Sequence, residues 1–457
     1  MKMYDFLFVY EVKSRELENI CLLKLELEKR GYSVAVRETW RAIHYPYAKV
    51  NAKVVISFAC YDNSQIQYMS SFATGVEKIL NLQWEQLYTV GDEEDENCLY
   101  KIKDFATQVT HVCWGQFNYD RLTNISGIKP INLTLAGQLS FDFFKPNLKG
   151  YYLSREEVLK RYNIDSNQKV YLFISSFSYV DMPDEELKTG VYAQTANDSL
   201  DFKSISSKSQ QEMLGWVEET LKKHDDIIFI YRPHPAETGN INLETLEKKY
   251  KNFRIIRDYS VKQWIVVCDK IYTWYSTAIA EIYAAGKSCS ILRPYPLSNK
   301  MDIRIYINGD FITTKEEFIE SYLEDNTKFP LDEKQINYYY SFSNEYSYKI
   351  ICDKLEEVLK NDDYKVNFSQ ILMPPRKLDW LRFVKRYLMA MFNRIFTNSL
   401  IVKLLAKLSK KISTKLDNQK FIKKMIKNNY ASKKEIQKIQ NKIAGIIEKN
   451  MKNENNR

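Results

Sequence analysis

Short apolar runs and amphipathic stretches alternate along the first 300 residues of the chain. Tyr4–Tyr10 reads as a buried strand, and Arg15–Arg30 as a helix closed by Gly31. Tyr32–Arg37, Lys53–Phe58, Ile79–Leu82, Thr110–Trp114 and Asn132–Ala136 continue the strand series, with helical stretches between several of them. After a linker-like Lys145–Gly150 the pattern restarts, with predicted strands at Lys169–Ser175, Ile227–Tyr231, Phe253–Arg257, Lys270–Thr273 and Cys289–Leu292. Helices are predicted at Lys208–Lys223, Leu243–Tyr250, Val261–Val267 and Ser276–Ala285, the last with Gly286 at its C′ position. Strands alternating with helices predict parallel sheets covered on both faces. The fold class expected is therefore α/β: two doubly wound, Rossmann-like domains facing a cleft, plus a basic α-helical C-terminal tail. The predicted boundaries are 1–148, 149–330, a Tyr-rich helical crossover over 331–375, and the tail 376–457.

Charge divides the chain in the same place. From Arg376 to Arg457 there are 22 Lys+Arg against 5 Asp+Glu, while the remainder carries 45 against 53. A basic segment of this density seeks an anionic surface. Leu381, Val384, Leu388, Met391 and Ile395 fall at helical spacing, with Arg382 and Arg386 on another face and Lys403, Lys407, Lys410 and Lys411 beyond. That pattern predicts an interfacial helix on an anionic inner-membrane surface. A hairpin packed on the body is the alternative, and nucleic acid fits less well because no aromatic recognition motif accompanies the charge.

Seven scattered cysteines without a C-x-x-C pair, and four histidines, argue against a disulfide scaffold or a zinc module and fit a reducing compartment. The N-terminal apolar run is too short for a signal-peptide core, and no stretch of about 18 apolar residues occurs. The expected location is cytoplasmic, peripheral to the membrane. No G-x-G, P-loop, G-x-S-x-G or D-x-D pattern is present. Dinucleotide binding by the glycine fingerprint, P-loop chemistry and elbow-type hydrolysis are thereby excluded, and any phosphate is expected to be held without a metal.

Two constellations carry the candidate chemistry. In Tyr231-Arg232-Pro233-His234-Pro235 a histidine stands just past a strand between two prolines, rigidly placed to donate to an anionic oxygen, with Arg232 beside it for a second oxygen. In Thr273-Trp274-Tyr275-Ser276-Thr277 a strand ends and two hydroxyl residues open a helix, whose free N–H groups make an anion site. Glu281 lies one turn deeper, positioned to accept from ribose hydroxyls. The plainer readings are a turn histidine and a serine N-cap.

Together these residues resemble the C-terminal half of GT-B glycosyltransferases of bacterial surface polysaccharides. The resemblance is to sialyl- and Kdo-transferases, with His-Pro and Ser-Ser/Thr motifs, and to CDP-glycerol glycerophosphotransferases, with His-Pro and Tyr-Ser-Ser. Thr110–Gly115, Tyr119-Asp120-Arg121 and Gly137–Asp142 are similar to surface-carbohydrate biosynthesis proteins as well. The resemblance implies an inverting, metal-independent transfer, without a cofactor, from a nucleotide-sugar donor to a glycan or lipid-linked acceptor, in capsule or lipopolysaccharide synthesis. CMP-linked donors are favoured over CDP-linked ones, because Trp274 replaces the acidic residue that the polyol-phosphate enzymes carry. It further implies that His234, Pro235, Arg232, Ser276 and Thr277 hold the leaving phosphate, helped by Ser176 or its neighbour Ser175, with Glu281 on the ribose. The general base is expected from the first domain, with Glu85 preferred and Asp142 and His44 behind it, while the acidic run Gly91–Glu96 reads as a solvated loop. A polyol-phosphate transferase and a non-catalytic nucleotide-binding scaffold are the alternatives.

Overall fold

The computed structural model describes residues 2–44, 49–94, 101–124, 128–189, 196–237, 240–324, 329–372, 384, 387–388, 391 and 410–455. The chain forms two compact units. Residues 1–86, 99–142 and 341–457 make the first, and 87–98 with 143–340 the second. The predicted crossover therefore joins the first unit from Ser341 onward, and a short segment from the first half of the chain joins the second.

The first unit is built on a parallel sheet of β1 (Met3–Tyr10), β2 (Val34–Glu38), β3 (Val50–Ser57), β5 (Ile79–Asn81), β6 (Thr110–Cys113) and β7 (Leu133–Leu135). Their order is β2-β1-β3-β5-β6-β7, with the two-residue β4 (Ala73–Thr74) beside β3. Phe6–Tyr10 are all buried, the continuous apolar run of a strand covered on both faces. The helix Ser347–Lys360 buries Tyr348, Ile351, Cys352, Leu355 and Val358 on one stripe, and it packs on the helix Lys13–Lys29. Asp142 fixes its start by accepting from the N–H groups of Ser347 (3.1 Å) and Tyr348 (2.8 Å).

The tail narrows the membrane expectation. The helices Lys410–Asn429 and Lys433–Asn455 dock on the first unit, burying Leu416, Ile436, Ile443 and Ile447. Tyr10 donates to the Asn429 carbonyl and accepts from the Ala431 N–H, both at 3.0 Å, and Gln440 donates to Glu28. Over 410–455 the apolar stripe thus meets protein, as the packed-hairpin alternative requires. The stripe from Leu381 to Ile395 falls outside the described residues except Val384, Leu388 and Met391. Among the described residues no helix is long and apolar enough to cross a membrane.

The second unit carries β8 (Lys169–Ile174), β9 (Ile227–Arg232), β10 (Phe253–Ile255), β11 (Lys270–Thr273), β12 (Cys289–Leu292) and β13 (Phe311–Ile312). All pair in parallel in the order β10-β9-β8-β11-β12-β13. Counted from β8 this is 3-2-1-4-5-6, the doubly wound order whose direction reverses between the first and fourth strands. Apolar side chains bury against both faces. Two predicted helices shift for local reasons. The helix predicted at Lys208 begins at Ala196, because its first half packs through small hydroxyl residues (Ser199 and Ser206 are buried) where the periodicity argument looks for aliphatic ones. The helix predicted from Ser276 begins at Ile279, after a turn in which the Ser276 hydroxyl accepts from the Ala278 N–H (3.3 Å).

Candidate functional site

The crevice at a sheet's reversal point is where a doubly wound unit presents its strand ends, loops and free backbone groups. In the second unit that point lies between β8 and β11, and a cavity of about 710 Å³ opens there. Its walls come from the carboxyl ends of four strands. Ser176 and Ser178 follow β8, His234 follows β9, Tyr275, Ser276 and Thr277 follow β11, and Ser298, Lys300 and Met301 follow β12. The start of the helix Ala196–Leu221 adds Asp198, Ser199 and Phe202.

The remaining wall comes from the inserted segment 87–98. Thr89 bridges Ile303 in antiparallel fashion, Val90 N–H donates to Asp302 O and Gly91 N–H to Lys300 O, both at 3.0 Å. A side chain at Gly91 would press on the Lys300 carbonyl, so glycine permits the close approach. The Asp92 N–H then donates to the Thr89 hydroxyl (2.9 Å), and Asp92 lines the cavity.

Of the predicted phosphate residues, Ser176, His234, Ser276 and Thr277 are brought together here. His234 Nδ1 accepts from the Ala236 N–H (3.2 Å), which makes Nε2 the ring's donor. The Ser176 hydroxyl is buried and makes no hydrogen bond among the described residues. A buried hydroxyl in that state is costly unless a ligand or water engages it. Its orientation is set by its neighbours. The buried Glu237 carboxylate accepts from the Phe177 N–H (3.0 Å), from the Ser175 hydroxyl and from the Tyr231 hydroxyl (3.3 Å). Its own N–H donates to His234 O (2.9 Å), so one residue ties the loop bearing Ser176 to the loop bearing His234. Burial pushes the Glu237 carboxyl up, against the pull of these hydrogen bonds.

A second network underlies the Ser276 wall. Arg293 and Asp302 form a buried pair (2.7 Å), Arg293 also donates to Trp274 O (3.2 Å), and the Tyr306 hydroxyl donates to Ser276 O (2.6 Å).

Other predicted residues stand elsewhere. Arg232 turns away from the cavity and donates to the carbonyls of Asp258 (2.8 Å) and Tyr259, bracing a neighbouring loop. Pro235 is exposed beside His234, and Glu281 is half-buried; neither lines the cavity. Ser175 belongs to the Glu237 network. Glu85 lies in the first unit between the buried Trp84 and Gln86, ion-paired with Arg15, and does not line this cavity. Asp142 is engaged by the helix start described above, and the His44 side chain falls outside the described residues.

Asp92, Lys300, Asp198 and Glu237 were not singled out from sequence. The signal for Glu237 was its position three residues past His234. Asp92 belongs to the acidic run expected to be a solvated loop, and only its pairing with residues 300–303, more than 200 positions away, brings it to the cavity.

No protein-family model and no curated protein matches the chain. Among solved structures, the UDP-GlcNAc 2-epimerase from Neisseria meningitidis bound to UDP-GlcNAc is similar at 13% identity and a TM-score of 0.49, over 78% of this chain and 100% of that one. The S. aureus MnaA–UDP structure is similar at 12% and 0.48, over 79% and 97%. The wall teichoic acid polymerase TagF is similar at 12% and 0.48, over 78% and 88%. The likeness is confined to the fold.

Proposed function

We propose that the second unit binds a nucleotide-activated donor by its phosphate, and that the protein is a transferase moving the activated sugar or polyol-phosphate group to a hydroxyl acceptor, a surface glycan or a lipid-linked saccharide. The observation that carries this reading is the convergence of Ser176, His234, Ser276, Thr277 and Lys300 on one cavity at the reversal point of the 3-2-1-4-5-6 sheet. Hydroxyl, imidazole and ammonium donors on separate strand ends suit an anion with several oxygens.

The bond between the donor's transferred group and its phosphate oxygen breaks, and the electron pair stays on that oxygen. His234 Nε2–H and Lys300 stabilise the growing negative charge. The acceptor oxygen bonds to the transferred group and surrenders its proton to a carboxylate. Asp92 lines the cavity and Glu85 does not, so we assign that step to Asp92.

The test is calorimetric titration of CMP, CDP, UDP and GDP into the wild type and into His234→Ala and Ser276→Ala. One nucleotide should bind, and its affinity should fall at least about tenfold in each variant, the worth of a lost charge-assisted hydrogen bond. Asp92→Asn should bind that nucleotide while losing turnover. Failure of all four nucleotides to bind refutes the reading.

We also infer peripheral attachment at an anionic inner-membrane surface. Lys424, Lys427, Lys434 and Lys438 are exposed on the docked tail helices and make no ion pair among the described residues. At ~1 kcal/mol each near an anionic leaflet they supply about 4 kcal/mol. Reversing all four to Glu should release the protein from phosphatidylserine vesicles, and undiminished binding counts against the attachment.

A further inference from the structure

The cavity has a second chemical half that phosphate binding does not use. Its rings form a continuous wall: Tyr179 stands edge-on to Phe202 at 5.1 Å between centroids, and Phe202 to Tyr275 at 5.3 Å. All three are half-buried and line the cavity. Two carboxylates share that space. Asp198 sits in the first turn of the 26-residue helix Ala196–Leu221, where a negative side chain meets the positive end of the helix dipole. Asp92 enters from the inserted segment, close enough that its charge adds to the effects of burial and of Asp302 in holding the Tyr275 phenol well up. Neither carboxylate has an ion-pair partner among the described residues.

Rings beside carboxylates have a defined ligand chemistry. Aromatic faces pack against C–H surfaces, and carboxylates accept from neighbouring hydroxyls. They also repel a third carboxylate; Asp92 is half-buried and Asp198 exposed, so the repulsion is the modest one of like charges near a surface, and the two add. We propose that this half of the cavity holds the hydroxyl-bearing part of the transferable group, and that it selects a neutral one, a hexose or the polyol end of a polyol phosphate, over a sugar bearing its own carboxylate. The inference rests on the nucleotide-donor reading above. It moves the preferred donor away from the carboxylated CMP-sugars implied by the sequence resemblance. Asp198 is the specificity-determining residue, Phe202 supplies the packing surface, and Asp92 adds its charge while serving the acceptor.

The test compares matched donors with their bare nucleotide on the full-length protein, in the wild type and in Asp198→Asn and Phe202→Leu. UDP-glucose and UDP-glucuronate form the pair if a uridine nucleotide binds. CDP-glycerol and CMP-N-acetylneuraminate, each referred to CDP or CMP, serve if a cytidine nucleotide binds. The neutral conjugate should bind more tightly than the bare nucleotide, and the carboxylated one at least about threefold more weakly than the neutral one. Asp198→Asn should shrink that ratio by raising affinity for the carboxylated donor more than it raises affinity for the bare nucleotide. Phe202→Leu should weaken the neutral conjugate alone. Equal or tighter binding of the carboxylated donor overturns the inference while leaving nucleotide binding intact. A ratio that survives Asp198→Asn also overturns it. If no nucleotide binds, the donor reading falls and this inference with it.

Discussion

Glu237 offers the sharpest test of how the cavity is held, because two substitutions at one position should act in opposite ways. The side chain is buried, and its carboxylate is the acceptor for the Phe177 N–H, the Ser175 hydroxyl and the Tyr231 hydroxyl. Gln210 also donates to the Tyr231 hydroxyl (3.2 Å). In Glu237→Gln the amide oxygen can keep the Phe177 N–H and the Ser175 hydroxyl. The amide nitrogen then donates to the Tyr231 oxygen, and the Tyr231 hydroxyl donates to Ser175, 2.8 Å away. The Phe177 N–H, the Ser175 hydroxyl and the Tyr231 hydroxyl all remain matched. Glu237→Ala removes the acceptor of the Ser175 hydroxyl and leaves the Phe177 N–H only its longer bond to the Ser175 oxygen (3.3 Å), at ~1–3 kcal/mol for a buried group that loses its partner. The hydroxyl can turn toward Tyr231 while its oxygen keeps the weakened Phe177 contact, so about 2 kcal/mol is the expected loss. For a unit of this size that lowers the Tm by roughly 4–8 °C.

The pH dependence separates the variants further. Burial raises the Glu237 carboxyl above its unfolded value, so its contribution is fully present below the unfolded pKa and is lost as pH rises through the folded one. Wild type should therefore gain on Glu237→Gln as the pH falls from neutral, and the glutamine variant should equal or exceed wild type near pH 7. Thermal and urea unfolding across pH 4.5–8, with nucleotide titration at pH 7, measure both effects. Nucleotide affinity should fall about tenfold in Glu237→Ala, because Ser176 stands between two of the tethered residues. A glutamine variant as damaged as the alanine variant would refute the hydrogen-bond accounting.

Three further outcomes follow from buried groups and backbone geometry. Burial, with the Arg121 charge adding, pulls His111 down to about 4 from 6.5; its Nε2 donates to Ala106 O (2.8 Å) and its Nδ1 accepts from Asn81 (3.2 Å). That stability is present above 6.5 and is lost as pH falls toward 4, by roughly 3 kcal/mol, so urea midpoints of the first unit should drop over this window and His111→Gln should flatten the slope. Arg293→Met strands the buried Asp302 and frees the Trp274 carbonyl; it should cost about 3–5 kcal/mol in chemical denaturation and weaken nucleotide binding, and adding Asp302→Leu should recover much of the stability. Gly286 ends the helix Ile279–Ala284 at φ 64°, and with open space around it Gly286→Ala should lose only the conformational term, about 1 kcal/mol by thermal melt.

What could be read from the sequence was what is local. Continuous apolar runs such as Phe6–Tyr10 and Ile227–Tyr231 announce strands covered on both faces, and Gly31 and Gly286 mark helix ends whatever packs around them. The His-Pro and Ser-Thr positions were legible because each follows a strand directly, and a strand's carboxyl end in a doubly wound unit is already an address. Residues whose role depends on pairing across the chain carried no such mark. Asp142 looked like a free carboxylate until Ser347 and Tyr348 came against it, and Arg232 looked like a phosphate ligand until the Asp258 and Tyr259 carbonyls claimed it. The serine-rich first half of the helix Ala196–Leu221 hides its buried face, because Ser206 donates back to the Phe202 carbonyl (2.6 Å) and so packs as a small, self-satisfied residue.

The segment 87–98 makes the same point from the other side. An acidic run at the surface is ordinarily solvated, and nothing local distinguishes this one. Two backbone hydrogen bonds to residues 300–302 and one glycine close enough to allow them bring Asp92 to the cavity wall. The position of the proposed base is thus fixed by main-chain pairing, which side-chain motifs cannot report. Gly91→Val separates this from a motif-based reading: it leaves Asp92 and every residue on the phosphate wall unchanged, yet crowds the Lys300 carbonyl, at 3.0 Å from the added Cβ. Turnover should fall at least about tenfold, and clearly more than affinity for the bare nucleotide, which feels only the shift of Lys300 while Ser176, His234, Ser276 and Thr277 stay in place. Turnover and affinity lost together, or neither, would show that the segment does not position Asp92.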